Sequence, residues 1–287
     1  GGPLMGFLGA LIEHGFLQRA VATGLLASVA CGVVGSYIVA RRITYVAGGI
    51  AHCLLAGLGI ARYLQVVQGW EWLHPLYGAL AVALLTAVVI GWVSLHWTER
   101  EDTVISALWA VGMAAGVLFI SQTPGYDADL MSYLFGNILM VSPAELWLIA
   151  LLDLVVISLA LVWYNQLTAV CFDPQFARLR GLRVEALYIL LLCLTALTVV
   201  VLVTAVGLVL VIALLALPAA AAGRLSRSLW QMMLGAAALT ALCSVGGIAA
   251  SYSTDLPSGA TTILLAAAGY LAAVAVGYIR DRYARQH

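Results

Sequence analysis

The chain has 287 residues, 64% of them hydrophobic and 9% charged, with a mean hydropathy of +1.06. Water-soluble domains carry about 25% charged residues, so an ordinary soluble fold is excluded. Thirteen basic and thirteen acidic residues cancel, and every base is an arginine. The zero net charge argues against a nucleic-acid partner, and without lysine no GxxxxGK[ST] loop exists for this polypeptide to hydrolyse ATP.

Taken in order, the apolar runs predict nine membrane spans, at about 16–40, 44–67, 76–97, 101–121, 144–166, 184–205, 207–223, 228–251 and 258–280. Each approaches the ~20 residues that cross a bilayer core. The first run lacks a basic leader and is too long for a cleaved signal. The sixth and seventh runs meet at Gly207, as one broken helix or a tight hairpin, and Pro218 is expected to kink or break the seventh. Small residues recur in every span and allow close helix packing. The expected fold is all-α: a polytopic transmembrane bundle surrounded by lipid, with broken helices and a single transmembrane domain over residues 1–287.

The arginines set the orientation. If the segment 167–183 is cytoplasmic, alternation puts eleven of the thirteen arginines on that side, all but Arg19 and Arg62. The amino end is then outside and the carboxyl end inside, in a prokaryotic-type inner membrane. The outer loops collect Glu13, Glu71, Asp127, Asp129, Glu145 and Asp255, a face that attracts cations.

Two connections stand out. In the outer one, residues 131–139 are expected to form a short half-buried helix, with Phe135 and Asn137 placed by position as an outer gate. The inner one reads as a short helix at about 172–183, outside the bilayer. Asp173-Pro174 opens it as a cap and first turn, Gly181 closes it, and Arg178, Arg180 and Arg183 make it basic.

Polar residues at membrane depth are costly and therefore informative. His52 shares a helix face with Gly48, Ala56 and Gly59, a small-residue stripe that should pack against protein. A neutral imidazole there is either a structural hydrogen-bonding group or a ligand for a first-row transition metal on a transport path. Asp153, in the fifth span, has no histidine or acid at i+3 or i+4 and is read as structural, bonded to a neighbouring helix. The five cysteines lack CxxC spacing, and four lie in apolar runs where a thiol acts as a small hydrophobe.

Several stretches together resemble the permeases of zinc/manganese-type ABC metal importers: Arg41-Arg42 followed by Val46–Gly57 with His52; Tyr133–Leu139; Phe172–Ala177 with Gly181; Val206-Gly207 through Pro218–Ala220; and Asp255–Ala260. They fall in register over nearly the whole chain. The resemblance implies a permease that pairs with a second copy of itself. Separate cytoplasmic ATPase subunits would carry the ATP, and an extracytoplasmic metal-binding protein would deliver a divalent ion, Zn²⁺, Mn²⁺ or Fe²⁺, with no permanently bound cofactor. It implies that Phe172, Asp173, Phe176, Arg178, Arg180 and Gly181 belong to the coupling helix seated in the ATPase, and that His52 and Asp255 contact the metal. One departure is clear. The family's aspartate four residues before the histidine aligns with Gly48, and its serine with Ala51.

The alternatives are a permease for metal chelates or cobalamin-type substrates and a gradient-driven secondary cation transporter. The narrow small-residue stripe around His52 favours a bare ion over a chelate. A secondary transporter calls for several membrane-embedded carboxylates, where the spans offer Asp153. No HExxH, GxSxG or paired-aspartate pattern suggests an intramembrane enzyme.

Overall fold

The computed structural model describes residues 10–11, 13–97, 101–124, 136, 138–254 and 256–284. Among them all regular structure is helical. The helices are α1 (Gly15–Arg41), α2 (Thr44–Val67), α3 (Pro75–His96), α4 (Glu101–Ser121), α5 (Pro143–Val162), α6 (Tyr164–Phe172), α7 (Pro174–Leu179), α8 (Val184–Val206), α9 (Leu208–Leu225), α10 (Leu229–Thr254) and α11 (Ser258–Ala284). Nine of these described helices are long and apolar enough to cross a membrane. The two exceptions are α6 and α7.

The helix ends follow their local chemistry. Ser142 caps α5 in a reciprocal box: Ser142 N–H donates to Glu145 Oε2 at 2.7 Å and Glu145 N–H to Ser142 Oγ at 3.3 Å, with Pro143 in the first turn. Glu145, one of the acids expected on the outer face, is thus occupied in a cap. At the end of α1, Arg42 takes φ +63, and its N–H reaches Val39 O while Ile43 N–H reaches Ile38 O. This double closure lets a non-glycine residue hold a left-handed conformation.

Two groups of helices share α8 as their spine. In one, α2 lies between α3 and α4; in the other, α1 packs on α9 and α10, with α11 closing the outside and α5 against α1. The apolar windows of α2 and α8 are 78% and 72% buried, against 17% for α4 and 22% for α11. The last two therefore offer their remaining surface to lipid or to another chain. Glycines let α2 approach its neighbours backbone to backbone. A Cβ on Gly57 would strike the Gly78 carbonyl of α3, and one on Gly59 would lie 2.7 Å from the Gly116 carbonyl of α4.

One expectation is corrected, one open alternative is decided, and one falls largely outside the described residues. The fifth span does not run to 166: the helix stops at Val162, turns at Trp163 (φ −107, ψ 18) and restarts as α6. Hydropathy continues across this break, so the composition hides it. Between 184 and 225 the chain makes two helices joined at Gly207, whose φ of +84 only glycine adopts readily. Gly136, in the connection between α4 and α5, sits directly on the Val206–Gly207 corner, and α9 continues unbroken through Pro218. In the stretch expected as a helix at 131–139, Gly136 is left-handed (φ +63) and Ile138–Met140 is a single 3-10 turn. Its other residues, Phe135 and Asn137 among them, lie outside the described residues, as does Asp255.

Candidate functional site

His52 lies in the first half of α2, on the face turned to α4. Its Nδ1 is 2.7 Å from the carbonyl oxygen of Gly48, one turn earlier. A carbonyl only accepts, so Nδ1 carries the proton and Nε2 keeps its lone pair. A backbone carbonyl fixing the tautomer of a potential ligand is a common supporting arrangement at metal sites. The indole of Trp109, from α4, stacks on the imidazole with ring centroids 4.1 Å apart and planes at 28°. The small-residue face expected around His52 is therefore real, and its partner is α4.

The neighbouring thiol is not a second ligand. Cys53 is buried and donates to the Leu108 carbonyl at 3.1 Å. No group of three or more His, Cys, Asp or Glu side chains gathers anywhere among the described residues. The site at His52 thus offers one nitrogen and an aromatic face. Such a set binds a cation weakly, which suits passage better than storage. Trp109 escaped the sequence reading, although Trp109, Gly112 and Gly116 fall on one helix face and mark the side of α4 that meets α2. A Cβ on Gly112 would lie 2.8 Å from Cys53 Sγ, and one on Gly116 would lie 2.7 Å from the Leu55 carbonyl carbon.

Asp153 was expected to bond to a neighbouring helix. It is buried, 5% exposed, and its carboxylate is turned to the Ala30 backbone of α1 without closing a well-formed hydrogen bond. It faces the part of α1 that carries Cys31.

At the arginine-rich end, the sequence-predicted helix is shorter than 172–183 but built as its residues require. Asp173 Oδ1 accepts from Phe176 N–H at 2.9 Å, and Pro174 takes the first helical position. At the other end Gly181 has φ +76, with Gly181 N–H on Arg178 O at 2.9 Å and Leu182 N–H on Ala177 O at 3.1 Å. This pair of bonds is a Schellman closure. Beneath α7, Ala177 packs with Val170 and Val184 in a small separate core. Its outer side is apolar: Leu179 is 88% exposed and Phe176 is 49% exposed. The arginines frame that surface. Arg178 reaches Glu185 at 3.6 Å, and the Arg180 guanidinium lies 5.2 Å from the centre of the Phe176 ring.

Phe172 points elsewhere, into a cleft of about 440 Å3 between the end of α1 (Val39, Ala40) and the α9–α10 corner, with Arg224, Arg227 and Met232. Cys171 beside it is buried, which pushes its thiol up to about 12 despite the pull of the Arg41 guanidinium. It is a protonated hydrophobe. Leu179 was overlooked in the sequence because six helical residues are too few to show a face.

Comparison with known proteins bears on the whole chain. The sequence pattern described as the ABC 3 transport family matches residues 13–277. An uncharacterised membrane protein of Synechocystis is 44% identical over 264 residues, covering 92% of each chain. The manganese transport system membrane protein MntC of Halalkalibacterium halodurans is 32% identical over 260 residues, covering 91% of this chain and 87% of its own. Among solved structures, PsaBC from Streptococcus pneumoniae in complex with Fab superposes with a TM-score of 0.83. It is 28% identical and covers 94% of this chain and 95% of that one.

Proposed function

The chain belongs to the ABC 3 transport family, and from this we propose that it is the membrane subunit of an ATP-driven importer of a divalent transition metal, with Mn²⁺ as the foremost cargo. His52 carries the metal reading. A tautomer fixed through Nδ1 leaves Nε2 as a neutral donor at membrane depth, and imidazole suits first-row metals while a lone donor releases them. The manganese relative, MntC, supports the choice of cargo.

The family relation extends the proposal to the rest of the machinery. Two copies enclose the path. An extracytoplasmic protein delivers the ion to the end that carries Trp70–Trp72. A separate ATPase receives α7, whose apolar tip at Phe176 and Leu179 suits insertion into a groove on another protein. The arginine-rich end is then cytoplasmic, the amino end outside and the carboxyl end inside. Asp255 contributes at the outer mouth, and Phe135 and Asn137 at the outer gate. The lone Asp153 weighs against a gradient-driven exchanger, since among the described residues it is the one acid placed away from the ends of the spans.

The test is reconstitution of the chain with its ATPase and binding protein in vesicles, followed by uptake of radiolabelled Mn²⁺ and Zn²⁺. ATP-dependent Mn²⁺ accumulation, competed by excess unlabelled Mn²⁺, is the expected result. ATP-independent exchange, or uptake of neither metal, would overturn the proposal.

A further inference from the structure

The contact between His52 and Trp109 goes beyond packing. An imidazole on a helix can hold its proton on either nitrogen and can turn about its Cβ–Cγ bond. Two contacts remove those freedoms here. The Gly48 carbonyl takes the Nδ1 proton at 2.7 Å, and the Trp109 indole covers one ring face at 4.1 Å. The indole also reaches over Gly48: a Cβ there would lie in ordinary contact with Trp109, 3.7 Å from Cζ3 and 4.0 Å from Cη2.

The indole is itself well placed. Trp109 is anchored by a helix that meets α2 backbone to backbone. Its neighbour Leu108 accepts the Cys53 thiol at 3.1 Å, Gly112 lies on Cys53 and Gly116 on Leu55 and Gly59. Yet Trp109 remains 39% exposed, so the stack sits at the edge of the bundle.

We propose that Trp109 is the positioning residue of the metal path. Together with the Gly48 carbonyl it holds the imidazole in one tautomer and one orientation, so that Nε2 is the ring nitrogen a passing ion meets. The proposal rests on the metal-transport reading for its consequence, but the state of the ring can be measured without transport.

The test uses Trp109→Ala and Trp109→Phe in the full transporter with its ATPase. In the first arm, ¹⁵N-histidine NMR is recorded on the vesicle-embedded protein. The His52 signals are identified among the five histidines by their loss in His52→Ala. The wild type should show a single tautomer protonated at Nδ1, with Mn²⁺ selectively broadening Nε2. Trp109→Ala should show mixed tautomers and weaker, unselective broadening, and Trp109→Phe should restore the wild-type pattern.

In the second arm, Mn²⁺ uptake is measured against concentration, normalised to protein in the membrane. An aromatic pair contributes ~0.5–1.5 kcal/mol, so half-saturation in Trp109→Ala should rise roughly two- to twelvefold with the maximal rate little changed. An unchanged tautomer in Trp109→Ala would overturn the inference, as would an unchanged half-saturation with only a lower protein level. If the tautomer scrambles in Trp109→Ala while His52→Ala still transports normally, Trp109 does position the ring, and the metal reading of His52 is what fails.

Discussion

Replacing Leu179 by alanine should detach the ATPase without disturbing the permease. In the isolated chain this side chain is 88% exposed and contributes almost nothing to internal packing, so the stability change should stay within about ±0.5 kcal/mol. Its neighbours support that expectation: Ala177 alone of α7 faces inward, and neither the Asp173 side-chain cap nor the Gly181 backbone closure uses the Leu179 side chain. If Leu179 is buried in a groove of the ATPase, the complex loses roughly 1.5–3 kcal/mol on truncation, or about 10- to 150-fold in affinity. The assay is titration of the purified ATPase onto the permease in lipid nanodiscs, beside ATP-driven uptake in vesicles. Weakened binding with a matching loss of uptake, at an unaltered unfolding temperature, is expected. Affinity within twofold of the wild type would refute the docking role of the α7 tip. A large fall in unfolding temperature would show that Leu179 is internal to the fold.

Three further outcomes follow from the same structure. In an otherwise cysteine-free chain, a cysteine at Trp72 should react with an impermeant maleimide in intact cells and one at Arg227 only after permeabilisation; the reverse pattern would invert the orientation. Asp153→Asn keeps the shape of this buried side chain and replaces a carboxylate by a neutral amide, which costs less to bury without close partners. The unfolding midpoint should therefore hold or rise, whereas lost uptake at a normal midpoint would make the carboxylate part of transport. The Cys171 thiol, raised to about 12 by burial, stays protonated from neutral pH to well above pH 9, because the neutral form is the one burial favours. Alkylation between pH 7 and 9 should be slow in the folded protein and fast after denaturation, and rapid labelling of the folded protein would show that α6 opens.

The spans were legible because each is an apolar run of bilayer length bounded by arginines or turn residues. The helix at 174–179 was legible because Asp173, Pro174 and Gly181 each have one conformational use. What escaped notice depends on distant partners. The break at Trp163 lies inside continuous hydropathy and is decided by how α6 packs on α8 and α1. The face of His52 could be read from Gly48, Ala56 and Gly59, but the Trp109 that covers it is 57 residues away in sequence. Asp153 is expected to bond to a neighbouring helix because buried acids usually do, and the α1 backbone at Ala30 faces it without closing a well-formed bond.

The most direct measurement is ATP-driven uptake of radiolabelled Mn²⁺ by reconstituted His52→Ala protein, normalised to the amount in the membrane. The imidazole offers a donor nitrogen at the α2–α4 face, and its removal leaves a methyl group that cannot hold an ion. Uptake should fall at least tenfold (on the order of the 1.4 kcal/mol that one lost contact represents), with normal protein abundance and normal binding of the ATPase. Mn²⁺ uptake at the wild-type rate and half-saturation would contradict the account, because the histidine would then be structural and the path would run elsewhere.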